Sequence, residues 1–198
     1  MVGKLQRMNN KNLEVFVICL KAVSVSSKLK EYSKIKSLIC RAFPKDEQLP
    51  IWLLHVLAIR KSVDFLAYYD GDSFCGISYT VSDGGLVFVL YLAVNDKIRS
   101  KGYGTAILQY IKRKFPDKAI TLNIEPLAPN SGNYAQRVRR YEFYVKNGFV
   151  DTQYQITDNS GSYQILATTE KFSIKAYKSV IKRLSFGFYS PRVMKQTV

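Results

Sequence analysis

Arg99-Ser100-Lys101-Gly102-Tyr103-Gly104 stands between two patterns that fix its surroundings. Before it, Leu86 to Val94 is apolar at every position, with Val87, Val89, Tyr91 and Ala93 alternating with Phe88, Leu90, Leu92 and Val94. A strand apolar on both faces must be covered on both, which predicts the central strand of a sheet. After it, Gly102 to Phe115 places Ala106, Ile107, Tyr110 and Ile111 on one side of a helix. Lys112, Arg113 and Lys114 cluster at its end, where cations complement the helix dipole, and Pro116 stops it. A strand that feeds directly into a helix leaves backbone N–H groups without partners at the helix start. Gly102 and Gly104 remove the Cβ atoms that would hold an anion away from those donors, while Arg99 and Lys101 add full positive charge. The turn is a candidate phosphate site.

Upstream, Val63 to Tyr69, Phe74 to Val81 and Leu86 to Val94 read as strands separated by Asp70-Gly71-Asp72 and Asp83-Gly84-Gly85, sequences that close tight hairpins. Val15 to Val25 reads as a first strand. Leu29, Tyr32, Ile35, Ile39, Ala42 and Phe43 recur at helical spacing up to Pro44, and a second helix is expected from Pro50. Downstream, Ile120 to Ile124 reads as a strand parallel to the buried one, because a helix connects them. Tyr134 to Asn147 follows as a helix capped by Gly148, then strands over Phe149 to Ile156 and Tyr163 to Thr168. An amphipathic basic helix spans Phe172 to Leu184, and the last residues read as a tail.

Two other phosphate-binding patterns do not fit. A dinucleotide fingerprint needs a third glycine, which Thr105 to Leu108 does not supply, and a P-loop needs Gly-Lys-Ser/Thr after four intervening residues. The order R-x-x-G-x-G between strand and helix instead resembles the coenzyme A pyrophosphate loop of the GNAT superfamily of N-acetyltransferases. Tyr141-Glu142-Phe143-Tyr144-Val145-Lys146-Asn147-Gly148-Phe149 is similar to the family's second signature, a helix ending in an aromatic-tyrosine pair followed by a polar stretch and Gly-Phe. The order of elements over about residues 13 to 169 is also the family's. The resemblance implies an α/β (α+β) fold, a mixed, mostly antiparallel twisted sheet of about seven strands with helices on both faces, and here an extra C-terminal basic helix.

What the resemblance implies for chemistry follows residue by residue. Acetyl-coenzyme A would place its pyrophosphate on Arg99, Ser100, Lys101, Gly102, Tyr103, Gly104 and Thr105. Leu92, Ala93 and Val94 would offer backbone groups to the pantetheine arm and an N–H to the thioester oxygen. An amine must lose a proton before it attacks, and the departing thiolate takes one up. Tyr144 matches the family's general acid. Many relatives carry a glutamate base on the strand before the loop, but Leu86 to Val94 has no carboxylate. Glu125, just past the strand Ile120 to Ile124, is the first substitute, and Glu47, between Pro44 and Pro50, the second. Tyr91 is open as a water-linked proton relay or as core. The family's cofactor-contacting asparagine falls by spacing on Arg137, with Asn133 four residues earlier, and Arg137, Arg139 and Arg140 form a basic face. His55, the lone histidine, lies in an apolar helical pattern and is expected to pack.

Composition bounds the rest. The chain has 198 residues and 47% hydrophobic content, which suits one domain. It is expected over residues 13–169, with a flexible N-terminus over 1–12 and a basic helix and tail over 170–198 that packs on the domain or is appended to it. Cys19, Cys40 and Cys75 form no C-x-x-C pair, which implies no disulfide framework, no metal site and a reducing, cytoplasmic setting. Val15 to Leu20 is too short to span a bilayer. The net charge of +15 favours an anionic ligand. Acetyl transfer to a small-molecule or peptide amine ranks first. A nucleic-acid-associated protein on the same scaffold, either a binding module or an enzyme acting on a charged tRNA, is the alternative. Membrane association ranks last, and the closing helix is a candidate homodimer surface.

Overall fold

Turn chemistry builds the first half of the sheet. Gly71 (φ 55) and Gly84 (φ 51) take the left-handed backbone conformation in the two expected hairpins, joining β2 (Val63–Asp70), β3 (Ser73–Asp83) and β4 (Leu86–Val94) as an antiparallel meander. The computed structural model describes residues 18–98, 101–158, 161–185 and 192–195. The expected N-terminal segment 1–12, residues 15–17 of the expected first strand, and Arg99 and Ser100 lie outside them. The first strand appears as β1 (Lys21–Ser24), paired with β2.

β5 (Ala119–Ile124) lies parallel to β4, and β6 (Val150–Asp158) and β7 (Gly161–Ala167) close as a hairpin with β7 beside β5. Among the described residues eight strands run in the order β1-β2-β3-β4-β5-β7-β6-β8, so β4 is central as expected. The eighth corrects the sequence reading of about seven strands. Arg192–Lys195, read as tail, forms β8 on the edge of β6.

Helices cover both faces. On one, α1 (Tyr32–Ala42), α2 (Ile51–Leu57) and α5 (Ile174–Leu184) bury Ile35, Leu38, Leu54, Tyr177 and Val180 against Phe65, Tyr79 and Phe88. On the other, α3 (Tyr103–Lys114) and α4 (Tyr134–Lys146) bury Ile107, Ile111 and Tyr144 against Tyr68, Val87 and Leu122. The basic closing helix is therefore packed into the domain, its start capped by Ser173, which accepts from the Ala176 N–H.

β4 departs from strict alternation. Tyr79 pairs with Tyr91 and Thr80 with Val89, leaving Leu90 as an extra residue. This β-bulge reverses the phase of the strand: Val87 and Val89 face α3, while Tyr91 and Ala93 face the α1 side with Phe88.

Candidate active site

The pairing of β4 with β5 ends at Phe88 opposite Thr121, and beyond it the strands diverge. Backbone groups on that side of β4 past the bulge are thus not committed to β5. A groove of about 890 Å³ opens there, walled by Leu92, Ala93 and Val94 from β4 and Leu122, Asn123 and Ile124 from β5. Gly102, Tyr103, Gly104 and Thr105 at the start of α3 and Arg139, Arg140, Phe143 and Tyr144 of α4 wall it on one side, and Arg41, Ala42, Phe43, Pro44 and Glu47 at and after the end of α1 wall it on the other.

The start of α3 explains both glycines. Gly102 is its N-cap in the left-handed conformation (φ 83), which an L side chain rarely adopts, and no side chain caps the helix. A Cβ on Gly104 would lie 3.0 Å from Phe143 Cζ and 3.5 Å from Val94 Cγ2, so its absence lets the helix start seat against α4 and β4. The first helical bond of α3 runs from the Ala106 N–H to the Gly102 carbonyl (3.0 Å), so earlier N–H groups point out of the helix start. Those donors, the helix dipole and the cations Arg41, Arg139, Arg140 and Lys146 in the groove walls fit an anionic diphosphate. Tyr103 turns its hydroxyl away to Asp70 (2.8 Å).

Tyr144 is the most buried aromatic group in this groove, 9% exposed, with Phe143 and Phe149 edge-on to its ring. Burial pushes its pKa up to about 12 against the lowering effect of Arg140, so the phenol keeps its proton throughout the neutral range. Among the described residues its hydroxyl has no hydrogen-bond partner, and no buried side-chain polar atom is left unsatisfied, so the hydroxyl is open to the groove.

The two carboxylates have different surroundings. Glu125 forms ion pairs with Arg137 and Arg140, each at 2.9 Å, and accepts from the Asn133 amide at 3.2 and 3.4 Å. Arg137 also donates to Asn133 Oδ1 (2.7 Å) and to the Pro126 carbonyl (2.9 Å). Asn133, Arg137 and Glu125 thus engage one another beside the groove and are not among its walls. Glu47 lies in a 3₁₀ turn, Lys45–Glu47, between α1 and α2. Tyr163 donates to Glu47 Oε1 (3.0 Å). Tyr91 clamps the turn from below, donating to the Glu47 carbonyl (2.7 Å) and accepting from the Leu49 N–H (2.8 Å). Its hydroxyl is committed to holding the turn, and its ring is core. Burial raises the Glu47 pKa, opposed by the Tyr163 hydrogen bond and the Arg140 charge and reinforced by Glu125 and Asp46.

Glu47 also lines a second cavity of about 580 Å³ on the α2 side of the sheet, bounded by α2, β4, the β6–β7 hairpin and the end of α5. Glu47, Val89, Leu90 and Asn123 belong to the walls of both cavities, so the gap between β4 and β5 connects them. The sequence reading did not find Tyr163, Asp46 or Asp158 here. No local spacing marks them, because the turn and the hairpin meet only in three dimensions. Of the expected site residues, the structure gathers Leu92, Ala93, Val94, Gly102, Tyr103, Gly104, Thr105, Tyr144 and Glu47 around this gap. Lys101 is exposed and outside the groove walls, and Arg99 and Ser100 lie outside the described residues. His55 accepts from or donates to Tyr32 (2.9 Å) in a packed role. No metal-binding group of His, Cys, Asp or Glu occurs among the described residues, and none of their helices is long and apolar enough to cross a membrane.

Neither a protein-family model nor a curated protein matches the sequence. Solved structures do. A GNAT-family acetyltransferase of Bacteroides thetaiotaomicron matches over 87% of this chain and 100% of its own with 19% identity and a TM-score of 0.67. An aminoglycoside 6'-N-acetyltransferase complexed with coenzyme A matches over 74% and 95% with 15% identity and a TM-score of 0.57. Naa50 of Arabidopsis thaliana, in complex with the bisubstrate analogue CoA-Ac-MVNAL, matches over 76% and 98% with 17% identity and a TM-score of 0.54. Diverging central strands, a glycine-started helix at the gap and agreement with these structures give one conclusion: the chain has the fold of the GNAT acetyltransferases.

Proposed function

We propose that the protein is an N-acetyltransferase that moves the acetyl group of acetyl-coenzyme A to a primary amine. One observation carries the reading: an anion-accepting groove along the gap between β4 and β5 meets an acid-lined cavity on the α2 side of the sheet. A negatively charged donor and a positively charged acceptor can then meet at one point. Similar folds with coenzyme A or a coenzyme A-peptide analogue bound support the donor.

In this reading the N–H groups at the start of α3 and the cations of the groove hold the pyrophosphate, with Arg99, Ser100 and Lys101 in the same turn adding to it. An N–H of the Leu92 to Val94 segment faces the thioester oxygen as it gains charge. Glu47 takes the proton that the acceptor ammonium must lose. Its raised pKa makes it a better base than an ordinary carboxylate, and its position on both cavities suits it to the junction. The amine nitrogen bonds to the carbonyl carbon, the C–S bond breaks, and the sulfur leaves with the electron pair. Tyr144 donates a hydrogen bond to that sulfur and supplies its proton, which solvent restores. The second proton from the ammonium leaves by way of Glu47, so the overall step releases one proton. Glu125, neutralised by two guanidinium groups, acts as the anchor that positions Arg140 in the groove wall, with Asn133 and Arg137 holding the anchor.

Two measurements test this. Saturating acetyl-coenzyme A should raise the melting temperature, and thiol should appear when an amine is added. No thermal shift at saturating cofactor refutes the reading. An acceptor carried on nucleic acid is the second reading, favoured by exposed Lys171, Lys175, Lys178 and Lys182 on or beside α5. It requires RNA binding that persists at physiological salt.

A further inference from the structure

The cavity on the α2 face differs in character from the groove it joins. Leu49, Leu53 and Leu57 around α2, with Phe88 and Leu90 of β4, make its walls mostly apolar. Its charged groups are Glu47, Asp46 and Asp158, and no Lys or Arg lines it among the described residues. In a chain with 30 basic and 15 acidic residues, an all-acidic charged lining runs against composition. Tyr163 donates to Glu47 Oε1 (3.0 Å), and the charges of Glu47, Asp158 and Asp46 all act on its phenol. The volume, about 580 Å³, falls within the range of small-molecule sites, roughly 300–1,000 Å³.

Resting on the acetyltransferase reading, we infer that the acceptor is a small primary amine with an apolar alkyl or arylalkyl body and no anionic group. The carboxylates draw the ammonium toward Glu47, and the leucines and Phe88 bury the carbon frame. An acceptor with a carboxylate beside its amine would add a fourth negative charge to the three that line the cavity. An acceptor with a polar body would strip water from its hydroxyl groups against leucine walls. Sugar amines, amino acids and nucleotide-linked amines are thereby disfavoured.

The test uses the full chain, acetyl-coenzyme A and three matched amines: 2-phenylethylamine, phenylalanine, which adds only a carboxylate, and ethylamine, which lacks the ring. Thiol release should give 2-phenylethylamine a kcat/KM about tenfold or more above either of the others. The double variant Asp46→Asn/Asp158→Asn should narrow the 2-phenylethylamine to phenylalanine ratio by about threefold or more, with the thermal shift from acetyl-coenzyme A retained. Leu53→Lys, a second variant that brings a cation into the cavity, should lower turnover of 2-phenylethylamine and spare that shift. Phenylalanine or ethylamine turned over as well as 2-phenylethylamine overturns the inference. So does a chain that acetyl-coenzyme A stabilises but that releases no thiol with any of the three. A chain that acetyl-coenzyme A does not stabilise loses the acetyltransferase reading itself, and the inference with it.

Discussion

Replacing Glu125 by Gln separates an anchor from a base. The Glu125 carboxylate holds Arg137 and Arg140 at 2.9 Å each, with side-chain exposures of 21% for the glutamate and 18% and 34% for the arginines. A fully exposed pair contributes about 0.2–1 kcal/mol, and breaking a buried pair costs about 3–5 kcal/mol. The Arg137 pair lies nearer the second case. Solvent screens the Arg140 pair toward the first. The amide keeps one acceptor oxygen, so the net loss is about 2 kcal/mol, and for a chain of this size the melting temperature should fall by about 4–8 °C. Turnover should change far less, about threefold or less in kcat, because both oxygens of this carboxylate are committed to Arg137, Arg140 and Asn133 and it is not among the groove walls. Thermal unfolding monitored by circular dichroism and thiol release with a fixed amine read the two effects separately. A loss of kcat of about a hundredfold with an unchanged melting temperature would refute the reasoning and make Glu125 the base.

Glu47→Gln should do the reverse, lowering kcat by about 10²–10⁴-fold at neutral pH. Because burial raises the Glu47 pKa, its contribution to stability is present below the ordinary carboxylate range and lost as pH rises through the folded value. The variant should therefore melt higher than the parent near pH 7, with the difference vanishing in acid, and calorimetry across pH checks the sign. In the parent, kcat/KM should rise with pH through an inflection above the ordinary carboxylate range, a limb absent from the variant's profile. Tyr144→Phe removes a donor to a developing thiolate, a hydrogen bond of about 1.5–3 kcal/mol, so kcat should drop about 10–150-fold with little change in stability; an unaltered kcat would remove Tyr144 from the reaction. Gly76→Ala puts a Cβ 2.3 Å from the Ala93 carbonyl oxygen and 3.2 Å from Val94 Cα, both backbone. It should cost about 1–3 kcal/mol in urea unfolding and, by displacing that wall of the groove, shrink the thermal shift from acetyl-coenzyme A.

The elements that the sequence made legible are those whose signals are local. The hairpin glycines, the Gly148 cap (φ 76) and the apolar run of Leu86 to Val94 each specify their geometry within a few residues. The bulge at Leu90 was not legible, for the same reason that the strand was. Where every residue is apolar, a slip of phase leaves no polar residue on the wrong face to reveal it. β8 was missed because four residues, Arg192 to Lys195, are too few and too exposed to carry a period, and pairing with β6 alone defines them. At the candidate site, the turn and Tyr144 could be read from motif. The contrast between Glu47 and Glu125 could not. It depends on Tyr163, 116 residues from Glu47, and on Arg137 and Arg140, whose spacing shows a shared helix face but not what that face meets.

The opposite charge of the two cavities also bears on how a reaction there would end. Acetylation turns an ammonium cation into a neutral amide, so the carboxylates that draw the acceptor in lose their hold on the product. Coenzyme A keeps its phosphates through the transfer, and in the proposed site the helix start and cations of the groove would hold it as they hold the donor. On the proposed reaction the acetylated amine should therefore leave first and coenzyme A last. Product inhibition distinguishes the order: coenzyme A should inhibit strongly and competitively with acetyl-coenzyme A, whereas the acetylated amine should inhibit only weakly. An acetylated amine that binds as tightly as its parent would show that charge is not what the acid-lined cavity recognises.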